Sequence, residues 1–539
     1  MPTNEQPKAG IAKAGPFSPL RHILFRNMWL ASVFSNLGLF VLGVGAAWDM
    51  TLMSGSASMV ALVQTAMMLP VALFSLASGA IADMFDRRKV ALVALGISIC
   101  GSVALAVMAR TGHITPASML GLCFIVGSGT ALLWPAWGAS VGEQVPPEVL
   151  PAAVALNGIS YNAARSFGPA IGGVIVAAAG GVAAFATTVV FYIPLLIVLY
   201  FWRRQSEPSR LPPESLGRAM ISGLRYVGNA PSIRVVIGRT LITGLAGGSV
   251  AALLPLVSRD LLHGGAQLFG LLLGAFGIGS IIGAFNFSVL RDRMSGEATV
   301  RLCTLGMGLG AAVVAESHLP ALTVAGLVLF GAAWTGCMMS CNVTVQMSAP
   351  RWVAARSLAA YQASVAAGVA LGGWGWGVMA NDWGVDRALL ASAAALLVSP
   401  IIGRWMRVPT IGTQKAVSGD ELSDPDVQIP LTARSGPIVV EIEYRVETDR
   451  AGPFHALMQQ VRSSRTRNGA YGWSIARDIS DPQLWVERYH CPTWHDYLRQ
   501  RNRPTTVERE LHARALEFHS GPEPVRIHRM LERPAGAVV

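Results

Sequence analysis

Gly79-Ala-Ile-Ala-Asp83-Met84-Phe85-Asp86-Arg87-Arg88-Lys89 is a polar turn between two long apolar runs. Three consecutive cations do not settle in hydrocarbon. The turn therefore lies at a membrane surface, and the runs flanking it cross the bilayer. Outward from it, further apolar runs lie near residues 28–52, 58–82, 90–109, 115–139, 150–178 and 181–202. A second set follows near 235–257, 267–290, 299–316, 320–344, 356–379 and 386–405. Each approaches the roughly 20 apolar residues that a spanning helix needs. Twelve spans result, split six and six by a polar link from Arg203 to Arg234, with the ninth and twelfth the weakest.

Composition agrees. Of 539 residues, 52% are hydrophobic and 14% charged, against about 25% charged in a soluble domain. The 57 glycines suit membrane helices, where a missing side chain lets backbones approach. A single soluble enzyme, a disordered chain and a disulfide scaffold are all excluded. The charge is unevenly placed. Residues 1–436 carry 45 charged side chains and residues 437–539 carry 28, or about 10% and about 27% of each part. The second part also holds six of the ten histidines and has the composition of a soluble domain.

With the N-terminus inside, the inner loops hold Arg21, Arg26, Arg87, Arg88, Lys89, Arg203, Arg204, Arg234, Arg291, Arg293, Arg301, Arg404 and Arg407, while the outer loops hold only Arg110, Arg259 and Arg387. This positive-inside bias places both termini and the C-terminal domain in the cytoplasm and makes the chain a multi-pass protein of the cytoplasmic (inner) membrane. The net charge of +11 is then mainly an orientation signal, and no nucleic-acid partner is expected. No cleavable signal peptide is seen. The cysteines (Cys100, Cys123, Cys303, Cys337, Cys341 and Cys491) have no framework spacing, and the five in apolar stretches read as free buried thiols. No metal site and no cofactor are expected.

Shifting the chain by 200 residues brings Gly168-Pro-Ala-Ile-Gly-Gly173 onto Gly368-Val-Ala-Leu-Gly-Gly373 and Gly79-Ala-Ile-Ala-Asp83 onto Gly279-Ser-Ile-Ile-Gly283. One shared offset points to a duplicated six-helix unit, the arrangement in which transporters bind substrate between the repeats near mid-membrane.

The loop quoted first resembles the G-x-x-x-D-R-x-G-R-R signature of the major facilitator superfamily, with Met84 in place of its arginine and Asp86 in place of its glycine. The resemblance implies that Gly79 allows close helix contact and that Asp83, Arg87 and Arg88 gate the inner side. An ordinary positive-inside turn is the plainer reading. Gly168-Pro169-x-x-Gly172-Gly173 resembles the core of the superfamily's antiporter motif, which is associated with exporters. Small-residue packing around a proline kink also accounts for it.

Three polar residues share the fifth span. Asn157, Asn162 and Arg165 form a stripe that lines a substrate path, or Arg165 snorkels to the interface. Asp49, near the outer end of span one, is a proton-coupling candidate, or an interface residue beside Trp48. Asn36, Gln64 and Gln362 are further path candidates, with Asn286, Asn342 and Gln346 weaker ones. Arg239 reads as an interfacial anchor.

Together with Pro19-Leu-Arg-His, Ser35-Asn-Leu-Gly38, Gly223-Leu-Arg-Tyr-Val227 and Leu254-Pro-Leu-Val257, these motifs resemble the major facilitator subfamily of enterobactin-type siderophore exporters and multidrug efflux proteins, the transmembrane secretion effectors. The resemblance runs from about Pro19 to Pro409.

In the tail, an alternating strand at 438–446, a helix at 454–467, strands at 471–477 and 484–490, helices at 494–501 and 506–518, and a strand at 525–530 give the order βαββαβ of a ferredoxin-like fold. It is similar to the dimeric α+β barrel domains related to antibiotic-biosynthesis monooxygenases. His490, Trp494, His495 and Trp473 could serve chemistry there, but no nucleotide loop, metal spacing or nucleophile–base motif accompanies them. Arg462, Arg465, Arg467, Arg499, Arg501 and Arg503 read as a solvated face.

The expected fold is an all-α membrane protein of 12 transmembrane helices in two six-helix bundles, the major facilitator fold, plus a C-terminal α+β ferredoxin-like domain. Its parts are an N-terminal segment (1–23), a first bundle (24–203), an inter-bundle loop (204–233), a second bundle (234–408), a linker (409–436) and the α+β domain (437–533). The expected function is a secondary active exporter of a small hydrophobic or amphipathic compound, coupled to protons by alternating access. Its partners are that small molecule, protons and the lipid bilayer, with self-association through the C-terminal domain. The rivals are a membrane-anchored sensor or monooxygenase-like enzyme acting through its tail, and an importer of the same fold.

Overall fold

The computed structural model describes residues 17–146, 148–203, 216–350, 353–409, 425, 427–502 and 505–532; the side chain of Asp83 and most of the linker lie outside the described residues. Two compact units result. The first comprises Met1–Leu216, Gly238–Cys341 and Tyr361–Arg407; the second comprises Gly217–Ile237, Asn342–Ala360 and Val408–Val539.

The first unit is built from α1 (Ile23–Met53), α2 (Ala57–Met84), α3 (Arg87–Arg110), α4 (Pro116–Ser140) and α5 (Leu150–Phe201). After a shorter α6 (Leu216–Asn229) come α7 (Pro231–Leu256), α8 (Ala266–Arg293), α9 (Gly296–Glu316), α10 (Pro320–Ser348), α11 (Ala354–Trp383) and α12 (Val385–Val398). Among the described residues, eleven stretches, α12 with the 3₁₀ turn after it included, are long and apolar enough to cross a membrane. One of them, α5, has 52 residues and breaks at Gly180 (φ 74°, ψ −179°), a conformation open to glycine and strained for other residues. At 1.5 Å per residue it far exceeds a ~30 Å hydrocarbon layer. Its two arms, 150–179 and 181–201, are the fifth and sixth spans.

Local chemistry sets the ends. Asp86 caps α3, its carboxylate accepting from the Arg88 and Lys89 amides at 2.9 and 3.2 Å. The aspartate that departs from the signature thus supplies the helix start. Thr115 and Ser118 form a capping box on α4, with Pro116 at its first turn.

Glycine packing gives the repeat a physical meaning. An ideal Cβ on Gly168 or Gly172 would strike Phe40 or Val41 of α1, and one on Gly368 or Gly372 would strike the α7 backbone at Leu241 or Leu245. In each half the fifth helix thus packs on the first. The last glycine of each motif faces the other half: Gly173 lies against Gly270 of α8, and Gly373 against Thr65 and Ala61 of α2.

In the second unit, β1 (Ile438–Arg445), β2 (Tyr471–Arg477), β3 (Leu484–Cys491) and β4 (Arg526–Leu531) form a sheet ordered β2-β3-β1-β4. Every pair is antiparallel, which is the connectivity of a split βαβ unit. The helices are α13 (Ala451–Arg467), α14 (Trp494–Asn502) and α15 (Thr506–Leu516). The core gathers Val440, Ile442, Tyr444, Phe454, Met458, Trp485 and Tyr489 between sheet and helices.

The inter-bundle segment, expected as a loop, contains α6, and α6 belongs to this second unit. Arg225 donates to the Gly469 carbonyl at 3.2 Å, and a Cβ on Gly223 would meet the Arg356 side chain. The charged linker residues hid this helix, whose apolar face is spaced for packing on a soluble domain.

Candidate transport site

A cavity of about 300 Å³ opens in the first unit, walled mainly by the first half and met by Gln362 from the second. From α1 it receives Ser32, Ser35 and Asn36; from α4, Trp134 and Trp137; from α5, Asn157 and Tyr161; from α11, Gln362. All these positions fall in the part of each helix near Arg21, Arg87 and Arg88, called here the basic end. Asn36, Asn157 and Gln362 are thus brought together. Asn36 donates to Ser160 Oγ at 3.4 Å, and the Oδ1 of Asn157 is buried without a partner. Trp134 meets Tyr161 edge-on, ring centroids 5.7 Å apart.

Other path candidates stand elsewhere. Gln64 is half-buried in α2 and outside the cavity lining. Asn162 turns back on its own helix, donating to Gly158 O at 2.9 Å. Arg165 reaches from α5 across to the second half, where its guanidinium donates to Ser280 Oγ and to Thr335 Oγ1, the latter at 2.8 Å. It also lies 5.4 Å from the Phe276 ring centroid, and its Nε has no partner. No carboxylate pairs with it among the described residues. Hydroxyls and a ring hold this cation, so it neither snorkels nor stands free.

Asp49 sits against the Gly180–Gly181 break, where a Cβ on Gly181 would overlap its carboxylate. That is the start of the sixth span, and a helix N-terminus favours an anion. Its neighbour Trp48 stacks on Phe269 of α8 at 6.2 Å.

The signature loop ties helices of the first half to one another. Arg87 donates to Ala139 O at 2.7 Å and pairs with Glu143 at 2.9 Å. Arg88 donates to the carbonyls of Leu199 and Tyr200, where the sixth span ends and a cation is favoured. The close helix contact expected at Gly79 is not made in this conformation, since a Cβ there would meet nothing within 4 Å.

The far end is sealed across the halves. Arg259 donates to Thr51 O at 2.8 Å while held by Asp260. It stands in a π-helical turn, Val257–Leu261, followed by His263 at φ 49°; such irregular turns cluster at functional positions. Asn381 bonds Ser58 Oγ at 2.9 Å, and Thr65 Oγ1 donates to Ala370 O at 2.8 Å. The Gly173–Gly270 contact lies beneath. Sequence reading missed Arg259 and Asn381 because lone polar residues at span ends carry no periodic signal.

Arg239 corrects an expectation. Read as an interfacial anchor, it is only 1% exposed. It donates to Ser399 O at 3.0 Å, and its Nη2 lies 4.0 Å from Glu297 Oε1. It joins α7 to the end of α12 and the start of α9. Cys100, expected to be buried, is exposed on α3.

In the second unit, Arg465 and Arg467 are not a solvated face. Arg465 pairs with Glu487 at 3.0 Å and Arg467 with Glu508 at 3.1 Å. Glu487 also accepts from Trp473 Nε1 at 2.9 Å. Burial pulls its carboxyl up, but the Arg465 charge and these hydrogen bonds leave it below its ordinary value. Burial, with Arg465 nearby, pushes His512 down to about 3. His490 stands 3.7 Å from Glu532. Among the described residues no group of His, Cys, Asp or Glu is placed to hold a metal.

Twelve spans in two glycine-packed halves around a cavity that is sealed at one end define a major facilitator transporter. The chain belongs to the transmembrane secretion effector family, whose profile matches residues 14–535. Among curated relatives, it is 25% identical over 399 residues to the multidrug efflux pump Tap of Mycolicibacterium fortuitum, covering 72% of this chain and 95% of that protein. It is 26% identical over 321 residues to the enterobactin exporter EntS of Salmonella typhi, covering 58% and 74%. Among solved structures, an inward-facing, occupied bacterial homologue of the lysosomal transporter Spinster superposes with TM-score 0.58 at 13% identity, over 72% of this chain and 97% of that one. The D-xylose–proton symporter gives 0.57 at 14% identity, over 72% and 99%. At such identities these likenesses speak for the fold alone.

Proposed function

We propose that this protein is a proton-coupled exporter that carries a small amphipathic compound from the cytoplasm across the inner membrane by alternating access. The observation that carries the reading is the cavity near the basic end, with a cross-half seal at the other. With basic loops inside by the positive-inside rule, this conformation faces the cytoplasm, ready to load. Transport then requires the Arg259, Asn381 and glycine contacts to part while the basic ends close. Resemblance to a drug efflux pump and a siderophore exporter supports the outward direction. Asp49 stands beside the Gly181 backbone at the sealed end, and in this reading it exchanges the proton when that end opens.

We read the tail as a self-association or sensing module and not as an enzyme. The sheet face away from the helices alternates charge across strands, with Glu441 3.5 Å from Arg488 and Glu443 3.4 Å from His528, a pattern suited to a second copy. Uptake into everted vesicles tests the main reading. An exporter accumulates cargo inside them and stops when the pH gradient is collapsed; uptake confined to right-side-out vesicles would make it an importer. Deleting 437–539 should leave residual transport, whereas a membrane-anchored enzyme would lose all activity.

A further inference from the structure

The cavity's walls say what kind of molecule it accepts, an inference that rests on the exporter reading. Its polar groups are amides and hydroxyls, and none of the described lining residues is charged. The apolar walls are aromatic. Trp134 and Tyr161 come from different helices and meet at 88°, and Phe40 braces Tyr161 from behind at 5.7 Å. Rings held edge-on from two helices form a rigid aromatic corner, called here the slot, along which a planar ring can lie.

Hydrogen-bonding capacity is unspent on the acceptor side. Asn157 Oδ1 accepts nothing and is closed off from the cavity, so a cargo donor reaches it once the side chain turns inward, while Asn36 uses its Nδ2 on Ser160 and leaves its oxygen over. A buried carbonyl oxygen without a donor is costly, and a cargo with O–H or N–H groups would supply one.

Charge settles the remaining choice. A cation entering the slot sheds its water and finds no carboxylate, and the attraction of aromatic faces is smaller than that loss. Arg165 stands one helical turn after Tyr161 on the same face. It is held by Ser280, Thr335 and Phe276, with no anion among the described residues to cancel its field. A second positive charge is therefore repelled.

We propose that the cavity selects aromatic compounds that bear hydroxyl or amide N–H donors and no positive charge, and rejects aromatic cations of similar size. Asn157 is the specificity-determining acceptor, and Trp134 with Tyr161 forms the slot.

The test is equilibrium binding of tritiated chloramphenicol, a neutral nitroaromatic with two hydroxyls and an amide N–H, to the full-length protein in nanodiscs. Unlabelled chloramphenicol and ethidium, a permanent aromatic cation, are the competitors. Saturable chloramphenicol binding is expected, with ethidium competing at least ten-fold less well. Asn157→Asp should reverse that order, and Gln362→Glu, on a different helix, should move it in the same direction if the first variant is poorly folded. Ethidium competing as well as chloramphenicol in the unaltered protein would overturn the proposal. So would the absence of saturable chloramphenicol binding, or folded acidic variants that keep the original order. Because binding is read without transport, selective binding without vesicle uptake would reject the exporter reading and leave the selectivity standing.

Discussion

Two half-buried arginines, Arg165 of the membrane unit and Arg465 of the tail, are held in opposite ways. Arg465 of the tail lies in an ion pair with Glu487, whose oxygens also accept from Trp473 and Tyr444. Arg165 of the membrane unit has two hydroxyls and a ring and, among the described residues, no carboxylate. A soluble core tolerates an arginine once its charge is cancelled, so Arg465 is a structural device. An arginine without a carboxylate partner within a bundle is costly, and for this reason we propose a transport role for Arg165. The difference separates a unit built to stay folded from one built to move, since hydroxyl contacts across the halves are weaker and easier to exchange than an ion pair.

The comparison can be broken first at Arg165. Arg165→Ala should lower transport in proteoliposomes by about a hundred-fold or more without lowering the amount of folded protein. Normal flux would make the arginine structural, like its counterpart. Next in size, Glu487→Gln leaves Arg465 buried without its partner and should destabilise the tail by about 3–5 kcal/mol. Hydrogen exchange of α13 and β3 in the full-length protein reads this, while helices of the membrane unit keep their protection. A smaller effect belongs to the seal. Arg259→Ala removes a charged hydrogen bond to Thr51, worth about 1.5–3 kcal/mol, and should raise reagent access to the cavity from the sealed side by roughly ten-fold.

Taken per pH unit, the smallest effect is titration of the tail. His512 is held down to about 3 by burial, against about 6.5 in an unfolded chain. The unfolded state therefore takes up the proton first as pH falls. Stability is fully present above about 6.5 and is lost below it at about 1.4 kcal/mol per pH unit, down to the folded value. His512→Gln should flatten that slope in a pH series of tail unfolding. An unchanged slope would assign the acid sensitivity to another group.

Much of this was legible in the chain. Span number, the six-and-six division, the 200-residue repeat and the order of elements along the tail all follow from periodicity and spacing, which local sequence carries directly. Asn36, Asn157 and Gln362 were legible as polar residues in apolar runs, though not their convergence, which depends on helix rotation. Arg165 was visible as a costly residue, and its partners Ser280 and Thr335 were not, because hydroxyls are common in membrane helices. Arg239 looked interfacial because it stands near a span end, yet the close approach of Gly403 to Glu297 folds the end of α12 over it. Trp134, Trp137 and Tyr161 passed as ordinary apolar residues until their helices were set side by side.

The most direct test of the account is the sidedness of the cavity. In a background without native cysteines, Ser35→Cys places a thiol on the cavity wall, to be labelled by a membrane-impermeant maleimide in everted and right-side-out vesicles. The account predicts rapid labelling from the cytoplasmic face at rest, and labelling from the opposite face only once the Gly173–Gly270 contact is wedged open by Gly173→Val. Equal labelling from both faces at rest, or labelling from the far face alone, would contradict it.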